Sequence, residues 1–166
     1  MWLTHSKNAS KSTRQLAASL ASHLPSCRLL TRSKRPLERI ETLAQRAGVG
    51  VVLVLVKNSV LRARRQFHDS AGREKWAWDQ KELVLDSIEF GPKAALAISS
   101  DTPFIIKARS AQSKSIAAFL GMEDDAIASL YDEPQAVSVS TSKGAATLKA
   151  GKSMLVKFKY SWGSAW

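Results

Sequence analysis

The eight residues from Val49 to Val56, VGVVLVLV, limit the fold more than any other stretch of the chain. An unbroken run of β-branched and leucine side chains has no polar face to give to water. It reads as a strand buried on both faces, the kind found inside a covered sheet. It is far short of the roughly 20 residues that a membrane-crossing helix needs.

The preceding sequence supplies the layers such a strand requires. Met1 to Thr4 is apolar enough for a strand, and Ser10 or Ser12 can cap a helix running to about Leu24. Ser12 and Gln15 have capping-box spacing, and Pro25 closes the segment. Leu16, Leu20 and Leu24 recur every fourth residue with Ala17 and Ala21 beside them, which predicts an inward face. Lys7, Lys11 and Arg14 fall on the opposite side. Cys27 to Leu30 reads as a second strand, Thr31 to Arg35 as a basic loop, and Pro36 as a first-turn residue. Leu37, Ile40, Leu43, Ala44 and Ala47 mark the buried stripe of a second helix, stopped at Gly48. Strand, helix, strand, helix, strand is the order of an α/β fold with a layered sheet.

Beyond Asn58-Ser59, Leu61, Ala63 and Phe67 alternate with Arg62, Arg64, Gln66 and His68, with Arg65 breaking the apolar face. A turn at Asp69–Gly72 leads to Glu74–Gln80, which predicts an antiparallel hairpin. Trp76 and Trp78 share one side of its second strand, where they pack on a neighbouring helix or, if exposed, stack on bases. The remainder is a looser echo. Phe104–Ala108, Ala136–Thr141 and Met154–Ser161 read as strands, and Ser110–Leu120 as a helix ending near Gly121. Ser-Lys-Ser heads a helix in both SKSTRQLAASL (Ser10–Leu20) and SKSIAAFLGM (Ser113–Met122). The 166 residues are therefore read as one domain of two similar halves, about 1–82 and 83–166.

Charge is divided unevenly between them. The chain carries 25 Lys/Arg and 14 Asp/Glu, net +11. Residues 1–75 hold 15 cations and four acids, while 76–166 hold ten of each. A one-sided positive field attracts polyanions, nucleic acid before an anionic membrane. Catalytic motifs are missing. No phosphate-cradling GxxxxGK[ST] occurs, and Gly48-Val-Gly50 precedes a strand where a dinucleotide loop would follow one. His5, His23 and His68 have no metal-ligand spacing, and Glu123-Asp124-Asp125 reads as a solvated loop. The single cysteine, Cys27, allows no intramolecular disulfide and reads as a small buried apolar residue. Trp162 is expected to dock and Trp166 to be exposed. No apolar stretch suited to a secretory leader follows the first basic residues, so an intracellular protein is expected, with no catalysis, metal or cofactor.

Ser6, Ser10, Ser12 and Thr13 place hydroxyls beside a helix start, where free backbone N–H groups favour a phosphate, and Lys7, Lys11 and Arg14 add charge. This order of strand, THSKNASKSTRQLAASLASHLP, short strand, TRSKRP, helix and VVLVLV resembles the Brix domain of ribosome-biogenesis proteins, similar to the Imp-four-type members. Thr4, Ser6, Ser10, Thr13, Arg14, Leu16, Leu20 and Pro25 stand in the places of that family's opening motif. Lys7 replaces its usual arginine, Ala9 its proline, and Ser33 the glycine after Arg32. The Gly91-Pro92 pair in IEFGPKAALAIS resembles a motif of the family's second half. The resemblance implies two α/β halves, each a mixed sheet with helices similar to the anticodon-binding domain of class II aminoacyl-tRNA synthetases. It implies binding to ribosomal RNA or its precursor, alongside other assembly proteins, by a monomer without catalysis. It also implies a cytoplasmic location in an archaeon or a nucleolar one in a eukaryote. The RNA-binding residues expected are Ser6, Lys7, Ser10, Lys11, Arg14, Arg32, Lys34, Arg35, Arg62, Arg64 and Arg65. Two alternatives are a module for tRNA or another structured RNA, and a scaffold for an acidic protein.

Overall fold

Strand β1 (Trp2–His5) opens the chain in the computed structural model, which describes residues 1–32, 34–92, 104–122 and 135–164. It is followed by α1 (Lys11–His23), β2 (Arg28–Leu29), α2 (Leu37–Arg46) and β3 (Val51–Val56). A short 3-10 turn over Lys57–Ser59 leads into β4 (Val60–His68) and β5 (Glu74–Phe90). After these come β6 (Phe104–Ala108), α3 (Ala111–Phe119), β7 (Gln135–Ser142), β8 (Ala145–Ala150) and β9 (Ser153–Ser164). The mixture of parallel and antiparallel strands with helices makes this an α/β protein. No helix among the described residues is long and apolar enough to cross a membrane.

The chain forms two compact units. The first holds Met1–Ala21, Arg28–Leu85 and Ser161–Trp166; the second holds Ser22–Cys27 and Asp86–Tyr160. The segments 22–27 and 161–166 thus belong to the unit opposite to their place in the sequence. A simple division into halves does not foresee this.

In the first unit the strand order is β2-β1-β3-β4-β5. β1 runs parallel to both β2 and β3, and β4 and β5 follow antiparallel. Within β3, Val52, Leu53, Val54 and Leu55 are all buried. Because successive side chains point to opposite faces, this uniform burial means that both faces are covered. Val52 and Val54 join Trp2 and the α2 residues Leu37, Ile40 and Ala44 in one apolar cluster. α2 ends as its sequence requires. Gly48 lies at φ +68°, its N–H reaches Gln45 O, and the Val49 N–H reaches Ala44 O, closing a Schellman motif.

In the second unit β6 pairs parallel with β7, and β8 and β9 follow antiparallel. Both units therefore place a helix after their first strand, and both continue from a parallel pair into an antiparallel meander. The helix starts correspond through their caps: Ser10 accepts from the Thr13 N–H, and Ser110 from the Ser113 N–H. The Ser-Lys-Ser match is thus three residues out of step, beginning at the cap in α1 but at the third helical residue in α3.

Several local expectations change. Ser10, not Ser12, caps α1, and its partner is Thr13 rather than Gln15. Pro36 sits at the cap of α2, one residue before the first turn. Ala47 is exposed where a buried residue was expected, while Glu41 on the same helix is buried. Phe67 is 43% exposed and Trp162 38% exposed, so neither is a core residue. A register shift between Arg62 and Arg64 disturbs the simple alternation of β4. β5 runs ten residues past Gln80, and β8, an alanine- and lysine-bearing strand, was not anticipated. Ser33, the Lys93–Ser99 part of the Gly-Pro segment, Glu123-Asp124-Asp125 and Trp166 lie outside the described residues.

Candidate nucleic-acid interface

Parallel pairing of β1, β2 and β3 puts the C-terminal ends of all three strands on one edge of the sheet. In open α/β sheets this edge is the usual place for ligands. Three connections leave it: residues 6–10, residues 31–36 and the Lys57–Ser59 turn. The first is tied to β3, because the Ser6 N–H donates to Leu55 O at 2.9 Å and the Ala9 N–H to Ser6 O at 3.1 Å. It delivers Ser10 to the start of α1. There the Ser10 hydroxyl lies 2.8 Å from the Ser12 hydroxyl and 2.9 Å from that of Thr13.

Ser10, Ser12 and Thr13 line an open cleft of about 390 Å³, together with Leu16, Lys57 and Ser59. The floor is hydroxyl-rich and Lys57 supplies a cation. Lys57 and Ser59 are the site residues that sequence reasoning missed. Their signal is the parallel topology, which returns the end of β3 to the start of α1 and is invisible in a linear reading. Ser59 holds a left-handed φ of +59°, which fixes the turn beside Lys57.

Lys7, Lys11 and Arg14 are exposed, as the helix phase predicts, and none has an ion-pair partner among the described residues. In the second connection Lys34 and Arg35 are exposed and Arg32 is half-buried. Arg32 Nε donates to Arg35 O at 3.2 Å and the Arg35 N–H to Arg32 O at 2.8 Å, closing a tight basic turn. Of the expected residues, Ser6, Lys7, Ser10, Lys11, Arg14, Arg32, Lys34 and Arg35 all belong to the connections or helix start along this edge.

The arginines of β4 have a different setting. Arg62 pairs with Glu82 at 2.8 Å, Arg64 with Glu41 at 2.6 Å and Arg65 with Asp79 at 2.8 Å. Each guanidinium already has a carboxylate, so a phosphate there would have to compete for it. The Arg64 guanidinium also lies 5.1 Å from the ring centroid of Trp78. Trp76 and Trp78 are half-buried and pack against the α2 cluster. This is the packing alternative of the two readings of that pair.

The histidines are in structural settings. His5 is buried with Nδ1 3.0 Å from Ser6 O, and His23 is buried with Nε2 3.2 Å from Gly91 O and its ring 4.8 Å from Phe90. His68 lies 3.8 Å from Glu74. Among the described residues no group of three potential ligands is arranged to hold a metal. Cys27 is half-buried rather than fully buried as expected, and the desolvation of its thiol pushes it up to about 12.

No protein-family model matches the sequence, and no curated protein matches it. Solved structures do. A probable ribosomal biogenesis protein from Aeropyrum pernix K1 superposes with a TM-score of 0.67 at 10% identity, covering 98% of this chain and 94% of that one. Mil, an archaeal Imp4-like protein, superposes with a TM-score of 0.61 at 20% identity, covering 99% of both chains. From end to end, the chain is similar in fold to these two archaeal proteins.

Proposed function

We propose that this chain is a non-catalytic ribosome-biogenesis factor of the Brix type that binds ribosomal RNA or its precursor. The observation that carries the reading is the sheet edge where Ser10, Ser12, Thr13 and Lys57 line an open cleft beside Lys7, Lys11 and Arg14, which are exposed and have no ion-pair partner among the described residues. Its setting is a fold similar over its full length to proteins described as ribosomal biogenesis and Imp4-like. Hydroxyls and cations at a helix start suit phosphate oxygens. Contacts of this kind position a protein on an RNA backbone, and sequence is read only where bases are splayed out. Ser6, Arg32, Lys34 and Arg35 extend the surface. Arg62, Arg64 and Arg65 contribute only where RNA displaces a carboxylate partner.

The test is binding to ribosomal RNA fragments, tRNA and an unrelated RNA across a salt series. Preference for an rRNA fragment with a steep salt slope is expected. Replacing Lys7, Lys11 and Arg14 together by Ala should lower affinity and reduce the log–log slope by about 2, at about 0.7 per phosphate contact on single strands. Stability should be unchanged. A preference for tRNA would favour the tRNA-module alternative. Absence of RNA binding, with capture of an acidic protein that survives nuclease, would favour the scaffold.

A further inference from the structure

The second half, 83–166, is close to neutral in sequence, with nine Lys/Arg and eight Asp/Glu, yet its described part is not. The described residues of the second unit carry eight Lys/Arg against two acids, Asp86 and Glu89, both on β5. Residues 104–122 and 135–160 hold no carboxylate side chain at all. The other acids of that half, Asp101, Glu123, Asp124, Asp125, Asp132 and Glu133, lie outside the described residues.

Strand register gathers four of these eight cations on one face. Lys107 on β6 pairs with Ser138 on β7, which pairs with Lys149 on β8. In the next rung Ser140 pairs with Thr147, which pairs with Lys157 on β9. In the third, Ser142 pairs with Ala145, which pairs with Lys159. The alternate residues Val137, Val139, Ala146, Leu148, Val156 and Phe158 are buried on the opposite face, so the three rungs form the outward one. Lys107, Lys149, Lys157 and Lys159 are all exposed, and none has an ion-pair partner among the described residues. The contrast with β4, where each arginine has its own carboxylate, is complete. No two of these lysines are directly opposite; the nearest, Lys157 and Lys159, are alternate residues of β9 about 6.7 Å apart, and their like charges repel. Solubility alone would be served by mixed signs, without that cost.

We propose that this outward face of β6–β9 is a second RNA-backbone surface, with Lys107, Lys149, Lys157 and Lys159 as its phosphate contacts. The inference rests on the RNA-binding reading above and adds to it a separate surface in the other unit. Charge complementarity identifies the occupant as a polyanion, and composition identifies RNA. Lysine is depleted in protein interfaces, which centre on aromatic or arginine anchors, and the three rungs hold neither. Ser138, Ser140, Ser142 and Thr147 add hydroxyl groups of the kind that bond phosphate and 2′-hydroxyl oxygens. Lys107, Ser138 and Ser140 also border an open cleft of about 350 Å³ whose other walls are Arg109, Ser110 and Ser113 at the start of α3 and Val139 and Thr141 of β7. Without base-stacking side chains the surface is indifferent to sequence, so it tightens binding while the α1 edge and any splayed bases set the register.

The test compares the full chain with K107A/K149A/K157A/K159A, using single-stranded and duplex rRNA fragments in a salt series. On single strands the wild-type slope should fall by about 3, at about 0.7 per contact. Affinity should drop at least tenfold at low salt, thermal unfolding should not shift downward, and a quadruple Lys→Arg variant should bind like wild type. If the alanine variant does not fold, the Lys→Gln variant replaces it. Wild-type binding that the quadruple variant retains in full overturns this inference and leaves the α1 reading standing. Loss of affinity for a polyglutamate peptide with RNA binding intact overturns it in favour of an acidic protein. No RNA binding by the wild type removes the RNA reading itself, and this inference with it.

Discussion

Arg64 on β4 donates through Nε to Glu41 on α2 at 2.6 Å, joining sheet and helix through a pair whose side chains are 16% and 9% exposed. Glu41 follows Ile40 in the buried stripe and would be an expensive residue to bury alone. Paired, it turns Arg64 across the helix and over Trp78. Apolar packing and one ion pair therefore fix α2 on the sheet together.

Removing one partner strands the other. Glu41→Ala leaves a half-buried guanidinium without its counter-ion and should cost about 2–4 kcal/mol, somewhat less than for a fully buried pair because Arg64 keeps some water. A urea midpoint shifted down at constant slope is the expected result. The double change Glu41→Leu with Arg64→Met should recover most of the loss, since apolar residues of similar volume fill the same space. A single mutant as stable as wild type would mean that the pair contributes nothing.

Gly91 is limited by space, not by its backbone angle. A Cβ at this position would lie 1.7 Å from Met154 O and 2.6 Å from Met154 C. Those are backbone atoms and cannot rotate away. The Gly91 N–H also donates to Leu155 O at 2.9 Å, and Gly91 O lies 3.2 Å from His23 Nε2. Gly91→Ala must therefore push strand β9 aside and should destabilise by at least about 3 kcal/mol, in the range reserved for severe packing faults. Thermal unfolding of the purified variant, or its loss to the insoluble fraction, reads this out. A melting temperature within about 2 °C of wild type, no more than the shift expected for about 1 kcal/mol in a chain of this size, would show that the strand yields freely.

The Cys27 thiol gives a pH prediction. Burial raises it to about 12 by disfavouring the thiolate. An ordinary thiol titrates near 8.5, so at pH 8 the native thiolate fraction is lower by about three orders of magnitude. Iodoacetamide labelling at pH 8 should be slower by up to about 10³-fold in the folded protein than in urea. The sign for stability follows. The neutral thiol is favoured by folding, so this contribution is present in full below about pH 8.5 and is lost as pH rises toward 12. Equal labelling rates in the two states would show that Cys27 opens readily to solvent.

Much of the first unit was legible because its signals are local. The VVLVLV run, the Leu16–Leu20–Leu24 stripe, Gly48 and the proline after α1 each act within a few residues of themselves. What escaped depends on partners distant in the chain. Glu41 reads as a surface residue of α2 until Arg64 arrives across the sheet. Lys57 reads as an isolated lysine until parallel pairing brings the end of β3 beside α1. The basic face of the second unit was hidden for another reason. A charge count over residues 76–166 averages its lysines with its acids, whereas strand register brings Lys107, Lys149, Lys157 and Lys159 onto one face. β8 escaped because AATLKA has few β-branched or aromatic residues. It is a strand because β7 and β9 pair with it on both sides.

The assignment of Ser161–Trp166 to the first unit has a consequence for synthesis. Trp162 lies under Lys81 Nζ at 6.0 Å, and Gly163 sits so close to Glu82 that a Cβ there would be 3.0 Å from its side chain. These contacts cannot form until the 75 residues from Asp86 to Tyr160 have been translated. At roughly 5–20 residues per second that is about 4–15 s in which the N-terminal unit waits, with its basic edge already emerged from the ribosome that is making it.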